Sequence, residues 1–401
     1  MDIILLTFFG GFIFLCIYFK IGDIMSPWMI TCATWLGILS LFQFYGHYLS
    51  PVQPQFYTAL SLWVGILCAT SLLTYYAFPA VSHSFEAINK NMPLNVGWFN
   101  FFYAISLVCT PLYAYQILKT IAMFGTENLM ADIRLLAVQD NPDSGILRYV
   151  FVINQALFIL AMWKFPKISK FKFITIILAN LLCAFSIMEK GFLFFLVIVA
   201  MFVLYEKRKI RIRSIIISGV VLFFIFFAIN VMRSATEEVA NSFTVMDFFS
   251  MYILSPTVAF GEVHEKLTDQ FGSRTFAFFY AVLTKFDIGN YVVEPKLQPF
   301  VMVPIPTNIY TVMQPFYEDF GYKGVAFFAA VYGVVTGAIY RFFRNGDVVA
   351  KCLYAYIAEI LILQFFQENL ILGLSVFFQF LLVFIPILQQ RGKVVFINHK
   401  E

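Results

Sequence analysis

The sequence predicts an all-α, polytopic integral membrane protein with about eleven transmembrane helices, within a range of about ten to twelve. Hydrophobic residues make up 61% of the 401 residues and charged residues only 12%, a balance outside that of soluble globular domains. The apolar residues also fall in runs long enough, at about 1.5 Å of helix rise per residue, to cross about 30 Å of hydrocarbon. We therefore expect a single multi-span membrane domain over residues 1–401.

The apolar runs give the positions of the expected spans. The long runs are residues 3–19, 27–45, 56–78, 97–118, 149–163, 214–232, 324–341, 350–367 and 370–388. Two shorter runs follow one another at 173–188 and 191–205. No small-residue cleavage site follows the first run, so we expect it to be a permanent span.

Basic residues between the spans predict the orientation. Lysines crowd the short loop at 164–172, and lysines and arginines crowd the next one at 207–213. Short basic loops lie on the cytoplasmic side. Alternation from them places two long polar loops, 119–148 and 233–323, on the outer side. The formal charge of +4 thus reports topology and lipid headgroups, not nucleic acid.

Both outer loops contain segments with helical character. Residues 129–137 place apolar side chains at helical spacing beside charged ones, which predicts a helix lying on the outer surface. In the second loop, the moderately apolar pieces 248–260 and 276–286 predict interfacial or re-entrant helices.

Metal and cofactor sites are not indicated. The cysteines all fall inside apolar runs without metal-ligand spacing, and the histidines lie far apart. The chain also lacks nucleotide-binding, zinc-protease and serine-hydrolase motifs. Since the cytoplasmic loops are short, we expect any chemistry on the outer side, with no cofactor and no metal.

The hairpin made by the two short runs has an unusual length. It enters and leaves the membrane in about 33 residues, whereas two full crossings need about 40. Glu189 and Lys190 at its turn are therefore expected to lie below the outer surface. They either form an ion pair that caps a short hairpin or line an outward-facing cavity.

The longest polar run next to a span is residues 304–324. Pro304, Pro306 and Pro315 exclude a continuous helix. The run is rich in hydroxyl, amide and carboxylate groups, carried by Thr307, Asn308, Tyr310, Gln314, Tyr317, Glu318 and Asp319. Such a segment is suited to binding a polar ligand.

Two stretches carry a resemblance to a known family. PTNIYTVMQPFYEDFGYKG at 306–324 and FFSMYILSPTVAFGEV at 248–263 resemble the O-antigen polymerases of the Wzy type. A middle basic turn (MEKG, 188–191), an arginine closing a span (NVMRS, 230–234) and a large late outer loop are similar too.

The resemblance implies a lipid-donor glycosyltransferase with GT-C-like helical architecture in the bacterial inner membrane, its active site facing the periplasm. A growing glycan would pass from undecaprenyl pyrophosphate to the non-reducing end of a second undecaprenyl-pyrophosphate-linked repeat unit, with inversion and without metal, in lipopolysaccharide O-antigen biosynthesis. The implied partners are these lipid-linked oligosaccharides, membrane lipids and a polysaccharide chain-length regulator.

Expelling a pyrophosphate requires positive charge near the leaving oxygens. The outer basic candidates are Arg134, Arg148, Lys190, Arg233 and Arg274. The resemblance matches Lys190 and Arg233 most closely to pyrophosphate-binding positions. Simpler alternatives are headgroup snorkelling for Arg134 and Arg148, and favourable helix-dipole placement for Arg233.

A general base must accept the proton of the attacking hydroxyl. Glu262 is the first candidate, followed by Asp319 and His264. The alternative for Glu262 is an ion pair with Lys266 one helical turn on.

Three further residues of the polar run are candidate sugar ligands. Asn308 and Tyr310 either bind sugar or satisfy backbone groups of the loop, and Asp319 either binds substrate or shapes the start of the next span.

Two other functions fit the same topology. An O-antigen ligase has a similar span count and a similar late outer loop. A flippase or transporter of the lipid-linked oligosaccharide is expected to show pseudo-symmetric halves and charges deep in many spans. Neither the sugars nor the linkage can be inferred from the sequence.

Overall fold

The computed structural model describes residues 2–79, 94–124, 133, 142–187, 190–232, 245–266, 269–295, 298–304 and 306–389. The chain is mostly helical, and a helix covers each predicted apolar run. The helices that do so are α1 Asp2–Tyr18, α2 Pro27–Tyr45, α3 Pro54–Ala77, α4 Val96–Phe124, α5 Val150–Lys164, α6 Lys170–Ile187, α7 Lys190–Glu206, α8 Ile212–Met232, α12 Gln314–Arg344, α13 Val348–Ile362 and α14 Leu374–Leu388.

Within these ranges, 7 helices are long and apolar enough to cross a membrane: Pro27–Tyr45, Pro54–Ala77, Val96–Ala122, Gly145–Lys164, Lys170–Ile187, Gln314–Arg344 and Val348–Phe365. Helices α1, α7 and α14 are apolar but shorter. Large apolar side chains stay exposed along the bundle, for example Phe14, Phe171 and Leu382, as expected where the solvent is lipid. The protein is therefore a multi-pass membrane protein, while the count of about eleven spans and the GT-C-like architecture stay predictions.

The closest helix pairing joins α3 to α12, and glycines permit it. A Cβ at Gly333 would meet Leu67 O at 2.6 Å and would also clash with Thr70 Oγ1, and one at Gly337 would meet Ser71 O at 2.6 Å. Small residues four apart allow helix backbones to approach this closely in membranes. This pair carries the polar run 304–324 at one of its ends.

A second group of helices is tied by a buried amide. Asn154 of α5 donates through Nδ2 to Thr110 Oγ1 of α4 (2.9 Å) and to Cys183 Sγ of α6 (3.1 Å). The backbone carbonyl of Asn154 accepts a hydrogen bond from Asn180 Nδ2 (3.0 Å). Polar contacts of this kind fix the register of helices that lack a hydrophobic driving force.

The basic loops lie together at one end of the bundle. Lys207 Nζ donates to the carbonyls of Trp163 (3.2 Å) and Phe165 (2.6 Å), next to the lysine-rich loop. Arg344, at the end of α12, pairs with both carboxylate oxygens of Glu206 at 3.3 Å each. The residues near 262 and 310 lie at the opposite end of α3 and α12, as the charge pattern predicts.

The second outer loop holds several short elements. These are α9 Val245–Phe249, a π-helix Ser250–Leu254, α10 Ser255–Ala259, a 3-10 helix Phe260–Glu262, α11 Ala277–Lys285 and the strands β1 Val301–Met302 and β2 Pro306–Thr307. Helix is thus present in both predicted segments, 248–260 and 276–286. Whether they lie in the membrane interface stays a prediction.

The first outer loop is described only in part. Residues Pro142–Tyr149 form a 3-10 helix that leads into α5. Apart from Ile133, the predicted surface helix at 129–137 lies outside the described residues.

Candidate active site

The polar run 304–324 enters the bundle and turns back on itself. Strand β2 pairs with β1 in an antiparallel ladder. Farther along the run, Val312 and Met313 are fully buried. Helix α12 then begins at Gln314, with Pro315 in the first turn, where a missing N–H is tolerated. The run is not one continuous helix, as predicted, but its second half is helical.

Gly321 reverses the direction of α12. Its φ of 60° and ψ of −150° lie outside the helical region, and glycine adopts such angles without a Cβ clash. The ring of Phe316 stacks on that of Phe328 across this bend, with centroids 4.4 Å apart. Residues 314–320 therefore pack back along the rest of α12, which places 312–313 inside the bundle.

The groups beneath residues 312–320, here called the floor of the site, are polar and are hydrogen-bonded. Val312 N donates to Gln364 O (2.9 Å), and Trp63 Nε1 donates to Gln364 Oε1 (2.9 Å). The Trp63 ring also stacks on Phe316, with centroids 5.7 Å apart. Val312 and Phe316 thus attach the segment 312–320 to α3 and to the end of α13.

A recessed loop between α13 and α14 completes the floor. Glu368 is buried and accepts hydrogen bonds from the Tyr332 hydroxyl and from the backbone N–H groups of Leu370 (2.8 Å), Ile371 (2.7 Å) and Leu372 (2.7 Å). These bonds satisfy three backbone N–H groups of a loop that is neither helix nor strand. The loop is therefore fixed in an irregular conformation.

Above the floor lies a group of four charged residues, here called the outer ion-pair cluster: Lys266, Arg274, Glu294 and Glu318. Lys266 Nζ lies 2.6 Å from Glu318 Oε1 and 3.5 Å from Glu294 Oε2. Arg274 Nη2 lies 3.2 Å from Glu294 Oε2, and its Nε lies 3.1 Å from Glu318 Oε2. This Nε contact is an ion pair and not a well-aligned hydrogen bond. Each cation is shared between the same two carboxylates.

Neighbouring side chains hold the cluster in place. Asp319 accepts from Thr275 N (2.6 Å) and Arg274 N (3.3 Å), which fixes the turn that carries the arginine. Gln314 Nε2 donates to Glu318 Oε2 (2.5 Å) and to Gln298 Oε1 (3.1 Å). Asp319 therefore acts as a structural acceptor here, and its role toward substrate stays a prediction.

Glu262 lies at the exposed edge of the site, here called the rim, at the end of its 3-10 helix, and its side chain is exposed. Gln53 Nε2 donates to Glu262 Oε1 (3.2 Å), and Gln55 Nε2 donates to Val263 O (2.7 Å). The alternative of a Glu262–Lys266 ion pair is wrong, because Lys266 pairs with Glu318 and Glu294. The chain is extended from Val263 onward, so the helical spacing that this alternative requires is absent.

Tyr310 connects the rim and the cluster. Its hydroxyl donates to Pro299 O (3.0 Å) and is buried. Burial raises the pKa of Tyr310, the carboxylates of Glu318 and Glu262 raise it further, and Arg274 lowers it. The three charged groups thus act on one hydroxyl. Asn308, which precedes Tyr310 by two residues, is half-buried, and His264 is exposed.

The other predicted cations are less well defined. Arg148 is exposed, with its guanidinium 5.5 Å from the centroid of the Tyr149 ring. Lys190 begins α7, but its side chain lies outside the described part, as do Arg134 and Arg233 entirely. Of the two predicted cations whose side chains the structure describes, Arg274 belongs to the cluster and Arg148 does not.

Several residues of this site were not predicted from the sequence. The sequence pattern indicates Lys266 only as a partner for Glu262, and it does not single out Glu294, Gln364 or Glu368. Glu368 had one available signal, a carboxylate between two apolar runs. For Glu294 and Lys266 no local pattern exists, since their partners are remote in sequence.

Fold and site together define a multi-pass helical membrane protein with a recessed polar site at the end opposite its basic loops. The chain is similar to a protein of Escherichia coli (strain K12) named "Putative O-antigen polymerase", with 23% identity over 314 residues, 76% of this chain and 75% of the relative. This similarity supports the resemblance seen in the two sequence stretches. No family model matches the chain. No solved structure matches it.

Proposed function

We propose that this protein is an O-antigen polymerase, a membrane glycosyltransferase that joins lipid-linked oligosaccharide repeat units on the periplasmic face of the bacterial inner membrane. The observation that carries the proposal is the similarity to the E. coli protein of that name over 76% of the chain. The recessed polar site at the end opposite the basic loops supports it, because both substrates are lipids whose sugars project from the membrane.

In the proposed reaction, a hydroxyl at the non-reducing end of the acceptor unit attacks the anomeric carbon of the donor glycan. The new C–O bond forms as the bond to undecaprenyl pyrophosphate breaks, and the hydroxyl proton passes to a base. One direct displacement inverts the anomeric configuration. The glycan therefore grows by one unit at its reducing end.

Glu262 is the proposed base. It is exposed at the rim, and among the described residues Gln53 donates to its Oε1 and none donates to its Oε2, so Oε2 can accept a proton. Asn308 and Tyr310 belong to the polar run 304–324 and are proposed sugar ligands. Arg274 is the basic candidate in the cluster, and Lys190, Arg233, Arg134 and Arg148 are the remaining candidates for the pyrophosphates.

A deletion strain tests the function. Without a polymerase, lipid A core should carry a single repeat unit, because transfer of one unit needs no chain growth. Complementation with Glu262→Gln should restore membrane abundance but not long glycan ladders, since the amide cannot accept the proton. Loss of every repeat on deletion would indicate a ligase or a flippase and would refute the proposal.

A further inference from the structure

The outer ion-pair cluster contains two carboxylates that differ in how firmly they are held. Glu318 lies on α12, uses both oxygens to reach the two cations, and receives Gln314 Nε2 at 2.5 Å. Glu294 reaches both cations through Oε2 alone, at 3.2 and 3.5 Å. Arg274 Nη2 donates a hydrogen bond to Glu294, so the difference lies at Lys266, which is 3.5 Å from Glu294 but 2.6 Å from Glu318. The Glu294 side chain is also more exposed than that of Glu318, 18% against 7%. Since ion-pair strength falls with distance and with exposure to water, Glu294 is the more weakly held carboxylate at Lys266.

Glu294 also lies on a different kind of segment. Residues 288–295, here called the strap, form neither helix nor strand. The strap is attached to the 269–276 turn through polar contacts: Gln270 exchanges two hydrogen bonds with Val292 (2.8 and 3.0 Å), and Arg274 Nη1 donates to Pro295 O (3.2 Å). Ser273 Oγ adds a long contact to Glu294 Oε1 at 3.5 Å.

The two cations form a suitable site for a pyrophosphate. Arg274 supplies a planar guanidinium held nearly buried, and Lys266 supplies a second positive charge with a side chain that is 40% exposed. A guanidinium and an ammonium on either side of one acceptor group match the oxygens of a phosphoanhydride. The Glu294 carboxylate occupies the place between them.

Resting on the proposed function, we propose that Lys266 and Arg274 bind the pyrophosphate of the lipid-linked substrate, and that Glu294 on the strap occupies this site until the pyrophosphate displaces it. Glu318 stays with the cations and keeps Arg274 oriented. A carboxylate of charge −1 leaves and a pyrophosphate of higher negative charge enters, so the two cations keep a second anionic partner beside Glu318 throughout, which matters most for the buried Arg274. Displacement of Glu294 removes the two ion pairs that join the strap to Lys266 and Arg274.

Exposed apolar side chains on the strap are consistent with this role. Ile288 is 55% exposed and Val292 is 73% exposed. A strap with exposed apolar side chains is suited to contact with the isoprenoid chain of a substrate bound at the cluster. The same segment would then contact both parts of the substrate.

Binding to the purified full-length protein in detergent tests this proposal. The probes are farnesyl pyrophosphate, inorganic pyrophosphate and farnesol. Glu294→Gln removes the competing charge with little change of shape and should lower the Kd of both pyrophosphates about 3- to 10-fold, or about 0.7–1.4 kcal/mol at 1.4 kcal/mol per tenfold. Asp287→Asn is the matched control, because it removes one negative charge just before the strap from a residue that makes no ion pair in the described chain. It should change the Kd less than about twofold.

Two cation variants complete the experiment. Lys266→Gln should weaken binding of both pyrophosphates about threefold or more, and Arg274→Lys about tenfold, since lysine lacks the planar fork. Lys266 is partly exposed, so its variant is expected to fold even if the arginine variant does not, and thermal melting in detergent checks both. Equal effects of Glu294→Gln and Asp287→Asn, or binding of farnesol as tight as that of farnesyl pyrophosphate, would overturn the proposal.

The glycan ladder keeps this result separate from the proposed function. A protein that builds long ladders in the complemented strain, but binds pyrophosphate equally with and without Glu294, is a polymerase whose pyrophosphate site lies elsewhere. A protein that shows the Glu294 effect but builds no ladder binds a lipid pyrophosphate for another reaction.

Discussion

The contact between α3 and α12 should be the position at which added volume is most harmful. In Gly337→Ala the new Cβ would lie 2.6 Å from Ser71 O, whereas ordinary contact begins at 3.4 Å. The two helices would have to separate by the difference, about 0.8 Å, and a gap of about 0.5–1 Å forfeits a quarter to a half of the dispersion energy of the atoms involved.

Overpacking of this kind costs about 1–3 kcal/mol, which multiplies the unfolded fraction by about 5 to 140 at 1.4 kcal/mol per tenfold. The stacking of Trp63 on Phe316 depends on the same pair of helices, so the segment 314–320 should loosen as well. We expect a lower melting temperature in detergent and shorter glycan ladders at equal membrane abundance.

Gly65→Ala is the matched control, since it lies on α3 and a Cβ there meets nothing within 4 Å. Alanine favours a helix over glycine by about 0.5–1 kcal/mol, so the control should be neutral or more stable than the wild type. If Gly337→Ala has the same melting temperature as the control, the close approach of α3 and α12 is refuted. The packing of the segment 314–320 against this helix pair is then refuted too.

Three further predictions concern other parts of the molecule. A cysteine at exposed Asp287 should react with a membrane-impermeant maleimide added to spheroplasts and one at Lys170 should not, and the reverse pattern would invert the orientation. Tyr332→Phe removes one donor to Glu368 and should lower the free energy of unfolding by about 1–2 kcal/mol, whereas Tyr115→Phe, at an exposed position of α4, should have no effect on it. Asn154→Leu removes the hydrogen bonds to Thr110 and Cys183 and should cost about 0.5–1.5 kcal/mol in the same unfolding assay, and an unchanged stability would show that this amide does not tie α4 to α6.

The helices could be predicted from the sequence because lipid imposes a simple rule. Each run of apolar residues long enough to span must satisfy its backbone internally, and helix is the way to do so within one segment. The predicted and observed bounds agree within a few residues for most helices. In α12 the part after Gly321 corresponds to the span predicted at 324–341, since the angles of Gly321 are not helical. The short helical segment 314–320 before it was not predicted; Pro315 suits its first turn and Gly321 allows the reversal.

The site could be predicted only where local sequence determines it. The polar run 304–324 and Arg274 were identified from residue type and position. The Glu262–Lys266 pair was wrong because the spacing rule holds only within a helix, and the chain leaves the helical conformation at Val263. The contacts of Lys266 with Glu294 and Glu318 join segments brought together by an irregular loop, and no periodicity encodes them.

The two levels of the site should respond differently to substitution. The floor, made by Trp63, Gln364 and Glu368, consists of polar groups inside the bundle that are hydrogen-bonded to one another or to backbone, and a group left unpaired there costs the full desolvation penalty. The rim, with Glu262 and Gln53, is exposed, so losing the contact between them leaves groups that water can reach. Substitutions in the floor should therefore lower stability and activity together, whereas those at the rim should change activity alone, and this division is what a fixed floor beneath a displaceable strap requires.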